Sequence, residues 1–190
     1  MAAPLWISVD IESTGPAPGV FSMISLGAWV VGKDRQQEGT TFYAELEPIS
    51  EKYQEAALKV AAPGKTHAQL YTDGEDPQMV MIRFVDWVKD QARRYGGSPT
   101  FVAHNAPFDW MFVTWYLWRY VEENPFGWAA VDTRALFFGM SDAGWSKTRL
   151  EQIKQRFPLD RMHKHHALED AIEQGELFLK LLEARRPLPG

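Results

Sequence analysis

The chain has 190 residues, 45% of them apolar and 24% charged, with a formal net charge of −5 and no cysteine. Its length fits one domain, residues 1–190, with a sizeable core over about 5–182. The missing cysteines exclude disulfides and thiolate metal sites, and the negative charge argues against a general polyanion binder.

The N-terminal "MAAPLWISVD" has no basic segment and only a short apolar run, so neither a signal peptide nor a membrane span is expected, and the cytoplasm is the expected compartment. Leu5–Glu12 reads as a strand, Ser22–Gly32 as a second and Gly39–Ile49 as a third. All three are rich in β-branched and aromatic residues and are joined by Gly, Pro and Asp turns, which predicts an antiparallel meander. A short helix is expected over Glu51–Val60. The stretch Ala61–Gln78, full of turn formers, is expected to be a long loop. From Met79 the apolar positions recur at helical spacing up to the "RRYGG" stop at Arg93–Gly97.

Pro99–His104 then reads as a buried strand and Ala106–Glu123 as a helix with Pro107 near its first turn. That helix is apolar nearly all round from Trp110 to Tyr120, which fits burial on more than one side, by the core or by a second copy in a homodimer. Trp128–Thr133 suggests a last strand, followed by short helices at Arg134–Met140 and Lys147–Phe157. A helix with an apolar stripe closes the chain over His165–Arg185. Strands first, then helices alternating with strands, imply an α/β fold with a mixed sheet flanked by helices.

Three clusters carry chemistry. Asp10 and Glu12 stand two apart on the first strand, so both point to one face, roughly 7 Å apart along it, while Val9 and Ile11 point to the core. Carboxylates brought closer than ~4 Å repel by about 4 kcal/mol at an effective dielectric near 20, so they need a proton or a cation between them. Alone, the pair also fits an exposed acidic strand end. In "HNAPFDW" (His104–Trp110), Asp109 falls in the first turn of a helix, where the dipole favours an ionised carboxylate, for capping as well as for ligation. In "HKHHALEDA" (His163–Ala171), Asp170 begins a helix, with His165 five and His166 four residues before it; a solvated helix start is the plainer reading.

Taken in order, D-x-E, H-N-x-x-F-D and H-x-A-x-x-D resemble the DnaQ-like 3′-5′ exonucleases of the DEDDh type, which include ribonuclease T and proofreading exonucleases. "STG" (Ser13–Gly15), "ISLGA" (Ile24–Ala28) and "VDT" (Val131–Thr133) add to the likeness, which runs from about Leu5 to Leu182. The resemblance implies a ribonuclease-H-like fold and two divalent ions, Mg²⁺ or Mn²⁺, held by Asp10, Glu12, Asp109 and Asp170. It implies a histidine general base and release of 5′-mononucleotides from single-stranded RNA or DNA 3′ ends. On an uninterrupted helix, His166 shares the face of Asp170 and His165 is turned about 140° away; the family pattern selects His165 instead, the helix beginning after it. His104 and His163 are expected to be structural or peripheral. By family position Ser13, Thr14 and Asn105 would bind the 3′ end. Phe108 and Trp110 are stacking candidates, with core packing as the alternative for Phe108. Lys147, Arg149, Arg161 and Lys164 flank the site and would meet phosphates or simply face solvent. Two other functions fit less of the pattern: a phosphodiesterase restricted to dinucleotides or other small nucleotides, and a non-catalytic nucleic-acid-binding adaptor.

Overall fold

Strand β1 (Pro4–Ser13) is the middle of the sheet. Its alternation decides how it lies: Ile7, Val9 and Ile11 are buried, while Asp10 and Glu12 stay partly accessible on the other face. Strands β2 (Met23–Val30) and β3 (Thr41–Glu45) follow as an antiparallel meander, and β4 (Ser98–Ala103) and β5 (Ala130–Asp132) add to the opposite edge in parallel. The order is β3-β2-β1-β4-β5. This is the mixed sheet of a ribonuclease-H-like α/β fold, here in a computed structural model that describes residues 3–34, 36–159 and 165–185.

Helices cover both faces. Helix α3 (Pro77–Tyr95), capped by Asp76, and helix α4 (Pro107–Tyr120) bury Val80, Phe84, Val88, Phe112, Tyr116 and others in the main core with the inward residues of β1 and β2. Helix α4 therefore meets the core with one side and leaves Met111 and Trp118 on the surface. On the other face lies helix α7 (Ala167–Ala184), joined there by α5 (Thr133–Met140) and α6 (Leu150–Arg156). No helix among the described residues is long and apolar enough to cross a membrane.

Two local features fit the sequence less simply. The segment expected as one long loop contains helix α2 (His67–Asp73), started by a capping box between Thr66 and Gln69; helix α1 (Glu55–Ala61) precedes it. At the end of β1, Glu12 lies opposite Ser25 but Ser13 lies opposite Met23, so Ile24 is an extra residue on β2. The bulge leaves Ile24 without a partner residue on β1, while its carbonyl still accepts from the Leu46 amide at 2.9 Å. The Ile24 side chain packs with Leu58, Ala62 and Leu70 and so anchors α1 and α2 beside the acid pair. The Met23 amide next to the bulge donates to the Tyr116 hydroxyl at 2.8 Å.

Candidate active site

The acid pair sits where three elements converge. Helix α7 approaches β2 closely because residue 27 is glycine: a Cβ there would stand 2.2 Å from the backbone of Ala167 and Leu168. Gly27 lies directly opposite Asp10, so the close approach brings the start of α7 over the carboxylates. Glu12, Asp170 and His165 offer ligand atoms that all lie within 4.8 Å of one another. Helix α4 supplies Asp109, which is buried and accepts a hydrogen bond of 3.1 Å from the Ile11 amide. Asp109 thus docks on β1 between Asp10 and Glu12.

The electrostatics follow from this crowding. Burial pushes the Asp10 carboxyl well above its ordinary value, and the charges of Asp109, Glu12 and Asp170 push it further. Only a hydrogen bond from the Gln174 amide opposes them. Burial likewise raises Asp109 to about 8, against the hydrogen bond from Ile11, with the charges of Glu12 and Asp132 adding to the rise. Burial and neighbouring carboxylates thus hold both Asp10 and Asp109 toward the proton-bearing form.

The two histidines diverge at the start of α7. His165 adopts a left-handed backbone, φ 51°, outside the helix, and its imidazole joins Glu12 and Asp170. His166 is the N-cap; its amide donates to Asp170 Oδ2 at 3.2 Å and its ring stacks on Tyr43 with centroids 4.5 Å apart. The helical phase argument in favour of His166 does not apply, because the helix begins at Ala167. His163, Arg161 and Lys164 lie outside the described residues.

The remaining candidates have definite places. Ser13 donates to the Gly15 carbonyl at 2.9 Å, and Thr14 is fully buried, its hydroxyl accepting from the Ser22 amide at 2.9 Å. These side chains hold the turn after the acid pair. Phe108 is partly buried against Phe112, 5.2 Å away, and Trp110 meets Phe101 edge-on. Asn105 is exposed with φ 60°, its amide bound to Asp132 Oδ1 at 3.0 Å. Lys147 and Arg149 are exposed. His104 shares a hydrogen bond with Thr133 through Nδ1 at 3.0 Å.

One participant carries no motif. Gln174, one turn beyond Asp170 and buried, accepts from the His104 amide at 2.6 Å and donates to Asp10. It ties α7 to β1 and to the end of β4. A polar residue four after Asp170 on the helix face that meets the sheet was the available signal.

A cleft of about 240 Å³ opens over the β2–β3 side of the acids, lined by Ser25, Tyr43, Lys65, His165 and His166 and walled by the α1–α2 segment. Gln54, which precedes α1, donates its amide to the Thr14 carbonyl at 2.8 Å and so pins that wall to the turn after the acid pair.

Residues 7–178 match the family model for the RNase T exonucleases. The chain belongs to that family. As a member of the RNase T family it falls among the DnaQ-like 3′-5′ exonucleases, and it is a 3′-5′ exonuclease by class. It is 38% identical over 174 residues to the 3′-5′ DNA exonuclease Cap18 of Escherichia coli, an alignment covering 92% of this chain and 89% of Cap18. The fold is similar to that of the nuclease domain of 3′hExo, a DEDDh family member solved bound to rAMP, with a TM-score of 0.70 at 14% identity over 94% of this chain and 91% of that one. It is also similar to Escherichia coli exonuclease I solved in complex with an oligonucleotide, with a TM-score of 0.67 at 16% identity over 97% of this chain and 41% of that one.

Proposed function

We propose that this RNase T-family exonuclease shortens DNA strands from the 3′ end, releasing 5′-mononucleotides, with two divalent cations and His165 as general base. The observation that carries the reading is the convergence of Glu12, Asp170 and His165 within 4.8 Å, beside an Asp10 that its carboxylate neighbours destabilise in the ionised form. DNA is preferred over RNA on the resemblance to Cap18, which covers most of both chains.

The donors fit hard cations. Asp10, Glu12, Asp109 and Asp170 present oxygen, no cysteine is available, and the mutual repulsion of the acids is the deficit that Mg²⁺ or Mn²⁺ would remove. These four residues would hold the ions, which when bound supply charge stabilisation at the scissile phosphate and a more acidic water. The protein's own groups do the rest. His165, held outside the helix by its left-handed backbone, takes a proton from the attacking water. The water oxygen bonds to phosphorus, the bond from phosphorus to the upstream 3′ oxygen breaks, and that oxygen takes a proton from solvent, so the shortened strand leaves with a 3′ hydroxyl. Gln174 keeps Asp10 oriented through its amide, and the cleft over β2 and β3 gives the terminal nucleotide its place.

The test is a time course on matched 5′-labelled single-stranded DNA and RNA oligomers with Mg²⁺, Mn²⁺ or EDTA, alongside Asp10→Ala. A descending ladder on DNA, absent in EDTA and in the variant, is expected. Cleavage of dinucleotides alone would select the small-substrate phosphodiesterase, and binding without turnover in either metal would select the adaptor.

A further inference from the structure

On the opposite side of the acid pair from the cleft, beyond β4 and β5, an arginine is held in an unusual setting. Arg134, the second residue of α5, lays its guanidinium over the indole of Trp145, with Cζ 4.3 Å from the ring centroid. Its Nε donates to the buried Thr148 hydroxyl at 2.8 Å, and one terminal nitrogen reaches the Asn105 side-chain oxygen at 3.4 Å. Those partners are neutral. No carboxylate among the described residues forms an ion pair with Arg134, although the residue is partly buried.

A cation with a fixed side chain and no counter-charge suits an anion arriving from solvent. The surroundings match a strand of nucleic acid. Trp145 is 49% exposed, Phe138 meets its edge at 5.6 Å and is itself 45% exposed, and Lys147 and Arg149 stand exposed beside it. A cation with a flat aromatic surface is the combination that holds a phosphate and stacks a base irrespective of sequence.

The position relates this shelf to the reaction. Asp132 accepts from the amides of both Asn105 and Arg134, at 3.0 and 2.9 Å, and its charge is felt by Asp109. The shelf is therefore continuous with the carboxylate cluster. The other side of the cluster is walled by α1 and α2, which suits a terminal residue with nothing beyond it. An exonuclease acting at the 3′ end has only one nucleotide on that side, and the strand must leave by the open side.

We infer that Arg134 and Trp145 form a binding subsite for the strand on the 5′ side of the scissile phosphate, Arg134 contacting a phosphate and Trp145 stacking a base one or more nucleotides upstream. The inference rests on the exonuclease reading and adds to it a chain-length dependence. Through it, substrates long enough to reach the shelf bind better than those that end short of it.

The experiment compares kcat/KM on a DNA dinucleotide and on a single-stranded hexamer, for the wild type, Trp145→Ala and Arg134→Gln, each checked for an unchanged melting temperature. The wild type is expected to favour the hexamer. Each variant should lower the hexamer-to-dinucleotide ratio by about fivefold or more, and Arg134→Gln should also reduce the slope of log KM against log salt by about one contact. A ratio unchanged in both variants, whether both substrates weaken together or neither does, overturns the subsite and leaves the exonuclease standing. A wild type that cleaves neither substrate in Mg²⁺ or Mn²⁺ overturns the exonuclease reading and the subsite with it.

Discussion

Gly27→Ala would test how closely α7 must lie on the sheet for the site to work. The added Cβ would stand 2.2 Å from the Ala167 carbonyl carbon and the Leu168 nitrogen, and 2.4 Å from the Ala167 oxygen. All three are main-chain atoms, so no side-chain rotation relieves the clash. Carbon contacts settle at about 3.5–4.0 Å, so the start of α7 has to retreat by roughly 1.5 Å. It carries Asp170 and, just before it, His165. A displacement of that size costs about a hundredfold in rate when reacting groups lose alignment. Overpacking costs about 1–3 kcal/mol in stability, and in a chain of this size each kcal/mol lowers the melting temperature by about 2–4 °C. The assay is kcat on a DNA oligomer at saturating Mg²⁺, with a melting curve on the same preparation. The expected variant is folded, somewhat less stable and severely slowed. A kcat within about threefold of the wild type, at an unchanged melting temperature, would refute the argument that this glycine sets the site's geometry.

The metal-free protein should melt at progressively lower temperature from about pH 5 to pH 8.5. Folding favours the proton-bearing form of Asp109, so its contribution is full below the ordinary value of 3.8 and is lost as pH rises through about 8. Mn²⁺ should reverse the decline, and a melting temperature in EDTA that stays flat or rises across this range would contradict the crowding described above. Replacing His165 with Ala should lower kcat by about 10²–10⁴ while Mn²⁺ still stabilises the fold, whereas His166→Ala, which loses a stack on Tyr43, should cost less than tenfold. The reverse ranking would transfer the base to His166. Gln174→Glu sets a further carboxylate against Asp10 and should steepen the pH-dependent loss of metal-free stability. Melting curves in EDTA that superimpose on the wild type would show that the Gln174 amide is not engaged with Asp10.

Much of this architecture could be read from residue patterns, for identifiable reasons. The alternation Ile7, Val9, Ile11 against Asp10, Glu12 is a period-two signal, and it placed both acids on one face of β1. Pro107 at the first turn of α4 marked the helix that delivers Asp109. The features that escaped are those set by tertiary contact. Helix α2 lies in a segment dense in turn formers, and its capping box at Thr66 and Gln69 was outweighed by composition. The bulge at Ile24 depends on partners from α1 and α2, and nothing in the local run "SMISLGA" announces it. Helical phase alone points His166 at Asp170, because a helix boundary moved by one residue rotates a side chain by about 100°. A helix starting after His165, as the family pattern implies, agrees instead with α7 beginning at Ala167. Gln174 and Arg134 belong to no motif. Each acquires meaning only from a neighbour that is distant in sequence, Asp10 in one case and Trp145 in the other.

The hydrogen bond between the Ile11 amide and Asp109 has a mechanical consequence. Strand β4 pairs with β1 only as far as Ser8 and Val102, and three residues further along a carboxylate oxygen takes the amide. Asp109 thus continues the ladder along β1 with a carboxylate oxygen, and on the proposed reading that same carboxylate would hold a cation. Ile11 lies between Asp10 and Glu12, so a pull on Asp109 is transmitted through the main chain to both of their Cα atoms. On that reading, occupancy at Asp109 would order the strand that carries the next two carboxylates.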